Sequence, residues 1–278
     1  MADHVISTEL GRLYVETLGG AAMSQTPVVL WHSLFLDSRS WCGLGDGLSA
    51  HRRVIVIDGP SHGRSEPIVR DFTFDGCVAA AEAVLDGLDI DVPVDWVGNA
   101  WGGHVGIQMA VRRPERIRSL TTIGTPAHPL RPVERWTKAW PLVNLYRWAG
   151  PHPLLLKPLS DALVGPESFA AAPELAQSVM AGFTAADRQA MFRAMRSMML
   201  NRPDMRADMA HITAPTLIVA GRDDSTGWRP EAARAVADEM SDARVVAAAG
   251  SGHSSPLLID QETVLAALGD FLGAPRTC

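Results

Sequence analysis

The chain predicts a mostly parallel, doubly wound α/β sheet carrying an inserted helical segment, and three observations lead there. Short apolar, β-branched runs end in turn residues, as strands buried on both faces do. Apolar residues at helical spacing fall between those runs, which makes βαβ units with right-handed crossovers. The alternation then stops at Thr125-Pro126, and strand character resumes only at Thr213-Ala-Pro-Thr-Leu217.

The first segments, Val5-Ile-Ser and Arg12-Leu-Tyr-Val-Glu16, alternate in polarity and suit an antiparallel hairpin at the sheet edge. Val28–His32, Arg53–Asp58, Asp95–Gly98 and Thr216–Gly221 each read as a doubly buried strand, with Ile117–Ile123 and Arg244–Ala248 as further members. Helical patterns at Phe74–Leu88, His104–Arg112 and Pro230–Met240 lie between them. Val133–Trp148, Pro173–Ala181 and Ala185–Leu200 are helical patterns in a proline-punctuated stretch without a convincing strand. Residues 1–126 and 209–278 are therefore expected to form the core, and residues 127–208 a helical cap over the carboxyl edge of the sheet. Ligands of open α/β sheets bind at that edge, and long insertions at loops cost little.

Composition narrows the function. With 278 residues, 47% hydrophobic and 20% charged, the chain can bury a substantial core, which excludes global disorder. A formal net charge of −6 argues against nucleic acid, whose phosphates require clustered cations. No run of ~18 uncharged apolar residues is present to span a bilayer, and Met1-Ala-Asp-His-Val5 lacks the basic and apolar regions of a signal peptide. Cys42, Cys77 and Cys278 are odd in number and widely spaced, which suits structural thiols in a reducing cytosol rather than a metal cluster or disulfide framework. The expectation is a cytoplasmic protein with a small-molecule substrate, no cofactor, no metal, no nucleic acid and no membrane partner. A homodimer stays open.

One constellation carries chemistry. Strand Asp95–Gly98 runs into Gly98-Asn-Ala-Trp-Gly-Gly103, and a helix is expected from His104. A strand, a sharp glycine-flanked turn and a helix make a nucleophile elbow. Downstream, Gly221-Arg-Asp-Asp224 closes a strand with carboxylates, and Ala249-Gly-Ser-Gly-His253 places a histidine in a glycine-rich loop after the last strand. The chain order is nucleophile, acid, histidine.

On these residues the chain resembles the α/β-hydrolase superfamily over nearly its whole length. His32-Ser-Leu-Phe-Leu-Asp-Ser-Arg-Ser-Trp41 is similar to the oxyanion-loop segment of enol-lactone hydrolases and related esterases. Asp58-Gly-Pro-Ser-His-Gly-Arg-Ser65 resembles the superfamily's D-x-x-G-H-G-x-S turn, and Arg113-Pro-Glu-Arg-Ile117 its segment after the elbow helix. The resemblance implies a Ser-His-Asp hydrolase of an ester, lactone or carbon–carbon bond. His253 would be the general base, with Asp224, favoured over Asp223 by the family spacing, holding its imidazole. The backbone N–H groups of Leu34 and Trp101 would form the oxyanion hole.

Ala100 departs from the pattern, because a methyl group cannot attack a carbonyl. Three readings are open. The chain is a Ser→Ala variant; it is an Asp→Ala variant of a haloalkane dehalogenase or epoxide hydrolase type, with the Trp101 indole able to grip a halide; or the alanine is native. A native alanine would serve a small-molecule binder, or a non-hydrolytic catalyst using His253, Asp224 and the oxyanion hole. The gly-Asn-x-x-Gly-Gly setting of Asn99 fits the elbow of carbon–carbon bond and ester hydrolases, and the insertion holds one tyrosine, Tyr146, where epoxide opening uses two.

For substrate contacts, Trp136 and Trp140 share a helical face and are either core packing or an apolar roof. Phe35, Trp228 and Ser254 lie beside the catalytic loops and are expected to complete the pocket. The methionines at 191, 195, 198 and 199 read as core of the insertion.

Overall fold

The computed structural model describes residues 1–20 and 25–273. Among them, eight strands form one sheet: β1 (Ala2–Thr8), β2 (Gly11–Leu18), β3 (Val28–Trp31), β4 (Val54–Ile57), β5 (Val94–Asn99), β6 (Ile117–Ile123), β7 (Thr216–Gly221) and β8 (Ala243–Ala248). Their order is β1-β2-β4-β3-β5-β6-β7-β8. The β1–β2 hairpin lies at the edge, β2 joins β4 antiparallel, and every other pairing is parallel.

Helices α1 (Leu44–Ser49), α2 (Phe74–Gly87) and α3 (Trp101–Arg112) link the first strands. Between β6 and β7 come α4 (Pro132–Glu134), a π-helical turn at Arg135–Ala139, α5 (Trp140–Ala149), α6 (Pro153–Leu163), α7 (Pro166–Ala171), α8 (Pro173–Ala185), α9 (Arg188–Ala194), a second π turn at Met195–Leu200, and α10 (Arg206–Ala210). The chain closes through α11 (Pro230–Ala237), α12 (Ser255–Ile259) and α13 (Gln261–Gly273).

Period-2 alternation along the strands feeds two cores. Val28, Leu30, Val54, Val56 and Val97 face α1 and α13, while Val29, Trp31, Ile55 and Ile57 face the side of α2 and α3. Both faces are therefore apolar, which is why these strands lack a polar stripe. The methionines Met191, Met195 and Met198 are buried and Met199 packs against the same core.

Within the insertion, prolines that read as breaks in the helical pattern open helices α6 and α7. Pro153 and Pro166 each stand in the first turn of a helix, where the absent N–H is no loss and the fixed φ suits the entry. Helix α3 begins at Trp101 rather than His104, because the turn leads straight into it without an intervening loop. Cys42 and Cys77 are free thiols, and Cys278 lies outside the described residues.

Candidate active site

The turn after β5 is one residue long. Asn99 ends the strand and Trp101 begins α3, which leaves Ala100 to reverse the chain at φ 46° and ψ −103°. A left-handed conformation at a non-glycine residue costs ~1–3 kcal/mol and persists only where its surroundings enforce it. They do so here: Ala100 N–H donates to the Ile123 carbonyl at 2.9 Å, and the Ala100 carbonyl accepts from His104 N–H at 3.0 Å. Gly102 is wedged against β3, donating its N–H to the His32 carbonyl at 3.1 Å, and a Cβ there would overlap the Trp31 carbonyl. Positive φ also occurs at Phe35 (76°) and Ser61 (68°), so three of the five such non-glycine residues described lie in the turns that face this edge.

Two neutral histidines hold the turn after β3. His32 Nδ1 lies 2.7 Å from the Ser33 carbonyl, and its Nε2 accepts the Gly59 N–H at 2.8 Å. His62 repeats the arrangement, with Nδ1 2.8 Å from the Pro60 carbonyl and Nε2 accepting Phe35 N–H at 3.1 Å. A ring that donates from Nδ1 and accepts at Nε2 is neutral. Burial pushes His62 down to about 3 and lowers His32 as well. Phe35 N–H is thus spent on His62 and Leu36 N–H on the Ser33 carbonyl (3.1 Å), which leaves Leu34 as the residue of this turn whose N–H can meet a ligand. Trp101 is the first residue of α3, and the first N–H of a helix has no intrahelical acceptor.

The acid and the histidine meet. His253 Nδ1 lies 3.1 Å from Asp224 Oδ2, and Asp224 is buried. Asp224 Oδ1 accepts from Thr226 N–H (2.8 Å) and Thr226 Oγ1 (2.6 Å). Burial raises the Asp224 pKa, but the His253 ring and the Thr226 donors outweigh it and hold the carboxyl below its ordinary value. Asp223 is exposed and takes no part in this pair. With Nδ1 directed to the carboxylate, Nε2 is left as the basic atom.

The loop bearing His253 is gripped from both sides. On the sheet side, Asn99 Nδ2 donates to the His253 and Ile123 carbonyls, each at 2.9 Å, and Asn99 Oδ1 accepts from Ser254 Oγ at 2.6 Å. On the side of the insertion, His253 N–H donates to the Ala162 carbonyl (3.1 Å) and Ser254 N–H to the Leu163 carbonyl (2.7 Å). Glu167 of α7 accepts from Ser251 N–H, from Ser251 Oγ (2.7 Å) and from Ser255 Oγ (3.1 Å). Gly252 fits because its Cβ position lies 2.6 Å from Gly165 N and 2.7 Å from Leu163.

The expected substrate contacts divide. Phe35 is buried and meets Phe183 of α8 edge-on, ring centroids 5.4 Å apart, so it joins the turn after β3 to the insertion. Trp228 is buried beside the Asp224 loop, 5.9 Å from the His128 ring. Ser254 is a correction: it is fully buried and its hydroxyl is committed to Asn99. Trp136 and Trp140 are a second. They do share a face, with ring centroids 6.3 Å apart, but both are exposed, because the helix buries Ala139, Val143 and Tyr146 instead. The Trp101 indole is enclosed by Trp31, His32, His62 and Phe72, so the group it offers at the elbow is its backbone N–H. The elbow motif gives Asn99 no role of its own, and neither His62 nor Glu167 stands out as a site residue in the sequence. For His62 the signal was a histidine inside a glycine turn; for Glu167 there was none. Among the described residues no group of three or more His, Cys, Asp or Glu is placed to hold a metal ion.

Comparison with known proteins gives the same frame. The family model described as "alpha/beta hydrolase fold" matches residues 26–258. A 2-hydroxy-6-oxononadienedioate/2-hydroxy-6-oxononatrienedioate hydrolase from Cupriavidus pinatubonensis is 28% identical over 225 residues, 77% of this chain and 74% of that enzyme. A 2-hydroxy-6-oxo-2,4-heptadienoate hydrolase from Pseudomonas putida is 32% identical over 127 residues, covering 43% of this chain and 46% of that enzyme. The first curated relatives that match do so over less than half of their own length, from 27% to 46%. The enol-lactonase of Burkholderia xenovorans superposes with a TM-score of 0.87 at 22% identity, over 98% of this chain and 100% of that one, a likeness of fold.

Proposed function

The chain belongs to the α/β-hydrolase fold family, and within it we propose a site built to hydrolyse an ester, lactone or related carbonyl bond of a small apolar molecule, with Ala100 standing where the nucleophile acts. The observation that carries this reading is the His253–Asp224 pair, held at 3.1 Å beside a strained one-residue turn. In such a site Asp224 fixes the imidazole with Nδ1–H inward, and Nε2 accepts the proton of the attacking group and returns it to the leaving group. Leu34 and Trp101 N–H groups stabilise the tetrahedral oxyanion, each such donor contributing about 3–4 kcal/mol. With a methyl group at position 100, the chain as it stands binds its substrate and forms no acyl-enzyme.

The test is Ala100→Ser assayed on p-nitrophenyl butyrate, with His253→Ala added as control. Expected is a gain on the order of 10³-fold over the starting chain, abolished by the second change. Absence of a gain, with the fold intact, sinks the serine-type reading. The intact base then favours the second one: His253 Nε2 takes a proton from the bound molecule itself, and the backbone donors hold an enolate rather than a tetrahedral intermediate.

A further inference from the structure

The insertion carries an apolar face that the described residues leave uncovered. Trp136, Trp140 and Trp148 are 62%, 48% and 75% exposed, and Val133 and Leu154 are exposed with them. The other five tryptophans, Trp31, Trp41, Trp96, Trp101 and Trp228, are at most 2% exposed, so the fold buries indole wherever its core takes it. The Trp136 and Trp140 rings stand 6.3 Å apart and Trp148 lies about two turns further along the same helical segment, so exposed indoles line a surface of the kind that marks an interaction site.

Charge says what kind. From Arg131 to Ala149 the chain bears Arg131, Arg135, Lys138 and Arg147 against a single carboxylate, Glu134, which is already paired with Arg131. Arg188, at the start of α9 and next to Asp187, places its Nη1 3.2 Å from the Trp148 carbonyl. The Arg147 guanidinium lies 5.3 Å from the Trp148 ring centre. The segment that carries the exposed indoles thus has an excess of cations in a protein of formal net charge −6.

We propose that this face docks on an anionic lipid bilayer, with the Pro132–Ala149 segment lying in the interface plane. Indole combines an apolar ring with an N–H donor and favours the headgroup zone, while the cations pair with anionic headgroups. Docking against a second copy through the same face would bring each cation set against its own image. Among the described residues no helix is long and apolar enough to cross a membrane, so the segment lies on the surface rather than through it. The opposite stripe of the same helix leads inward: Tyr146 lies 5.2 Å from Phe183, and Phe183 lies 5.4 Å from Phe35 in the oxyanion turn. Docking therefore brings the oxyanion turn near the lipid surface, two aromatic rings behind the helix. The inference does not rest on hydrolysis, because binding is measured with the chain as it stands.

The experiment is co-sedimentation with phosphatidylcholine vesicles, with and without phosphatidylglycerol, followed in parallel by tryptophan emission and acrylamide quenching. Binding to the mixed vesicles is expected to blue-shift the emission and protect the exposed indoles. Trp136→Ser/Trp140→Ser/Trp148→Ser should weaken that binding by about tenfold or more, and so should Lys138→Glu/Arg147→Glu. Unchanged far-UV spectra and Tm would show that each variant is folded. Failure of the folded parent chain to bind the mixed vesicles at low salt overturns the proposal. So does light scattering that finds a dimer which the triple tryptophan variant converts to monomer, since the face then belongs to a second copy.

Discussion

The two grips on the His253 loop differ in kind. On the sheet side, Asn99 is buried at the end of β5 and its amide makes three hydrogen bonds, two to carbonyls and one from the Ser254 hydroxyl. On the side of the insertion, Glu167 is half-buried and reaches the loop from a short helix that follows a tight turn. The first contact belongs to the rigid frame of strands and persists while the fold does. The second depends on the insertion being seated. The sheet therefore fixes where the histidine stands, and the insertion adjusts how firmly it is held.

The sharpest way to break the sheet side is Gly102→Ala. Its methyl would overlap the Trp31 carbonyl, which is backbone in a central strand and cannot swing aside. Displacing β3 from the elbow should cost about 4 kcal/mol or more, a Tm drop on the order of 10 °C for a chain of this size. Gly269→Ala is the matched control, because that glycine in α13 has nothing within 4 Å of its Cβ position and alanine favours helix. Similar melting of the two variants would show that the elbow yields and that its close approach to β3 matters little.

Acid attacks the same side through the buried histidines. His62 is held at about 3 and His104 is lowered well below its ordinary value, in both cases first by burial. The unfolded chain takes up these protons near pH 6.5, so the stabilisation is complete above that value and drains away as pH falls toward 3. Asp224 acts lower, losing its contribution only as pH falls through a carboxyl value already below 3.8. Unfolding free energies from urea titrations at about pH 7 and about pH 4.5 should differ by a few kcal/mol, and His62→Asn should narrow the gap. Equal free energies for the parent chain would contradict neutral, buried rings.

These contrasts explain which parts were legible in the sequence. The elbow, the turn after β3, the Asp224 turn and the His253 loop are each contiguous segments, and local turn chemistry announces them. The strands were legible because apolar runs bounded by glycine and proline suit a doubly covered sheet. The insertion was not legible in the same way. Helical spacing placed Trp136 and Trp140 on one face, but spacing gives relative phase only, and the stripe Ala139, Val143 and Tyr146 won the core. An exposed apolar face spread along one short helix contains no run of the length that spans a bilayer, so hydropathy along the chain does not mark it. Glu167 left no local mark at all, since Ser251 and Ser255 join it only through the fold.

The smallest expected effect is the one that tests the insertion's grip. Glu167→Ala removes the acceptor for the Ser251 N–H and hydroxyl and one of the two for the Ser255 hydroxyl, which also donates to the Val164 carbonyl at 2.5 Å, and it leaves the carbonyls of Ala162 and Leu163 on the loop. The carboxylate is partly solvated, so its loss should cost about 1 kcal/mol or less of stability. Its effect on the loop is more specific. Amide exchange at Ser251, His253 and Ser254 should quicken several-fold in the chain as it stands, with exchange in β5 unchanged. In the Ala100→Ser background kcat should fall by about threefold to tenfold with KM nearly constant, because a looser imidazole weakens the transition state more than binding. Glu167→Gln keeps an acceptor oxygen and should recover part of the loss. Burial opposes ionisation of Glu167, yet the Ser251 and Ser255 donors hold its carboxyl below the ordinary value, so the grip persists until pH falls through that lowered value. If Glu167→Ala leaves the exchange of these three amides untouched, the carboxylate adds nothing to the hold that the Ala162 and Leu163 carbonyls already have on the loop.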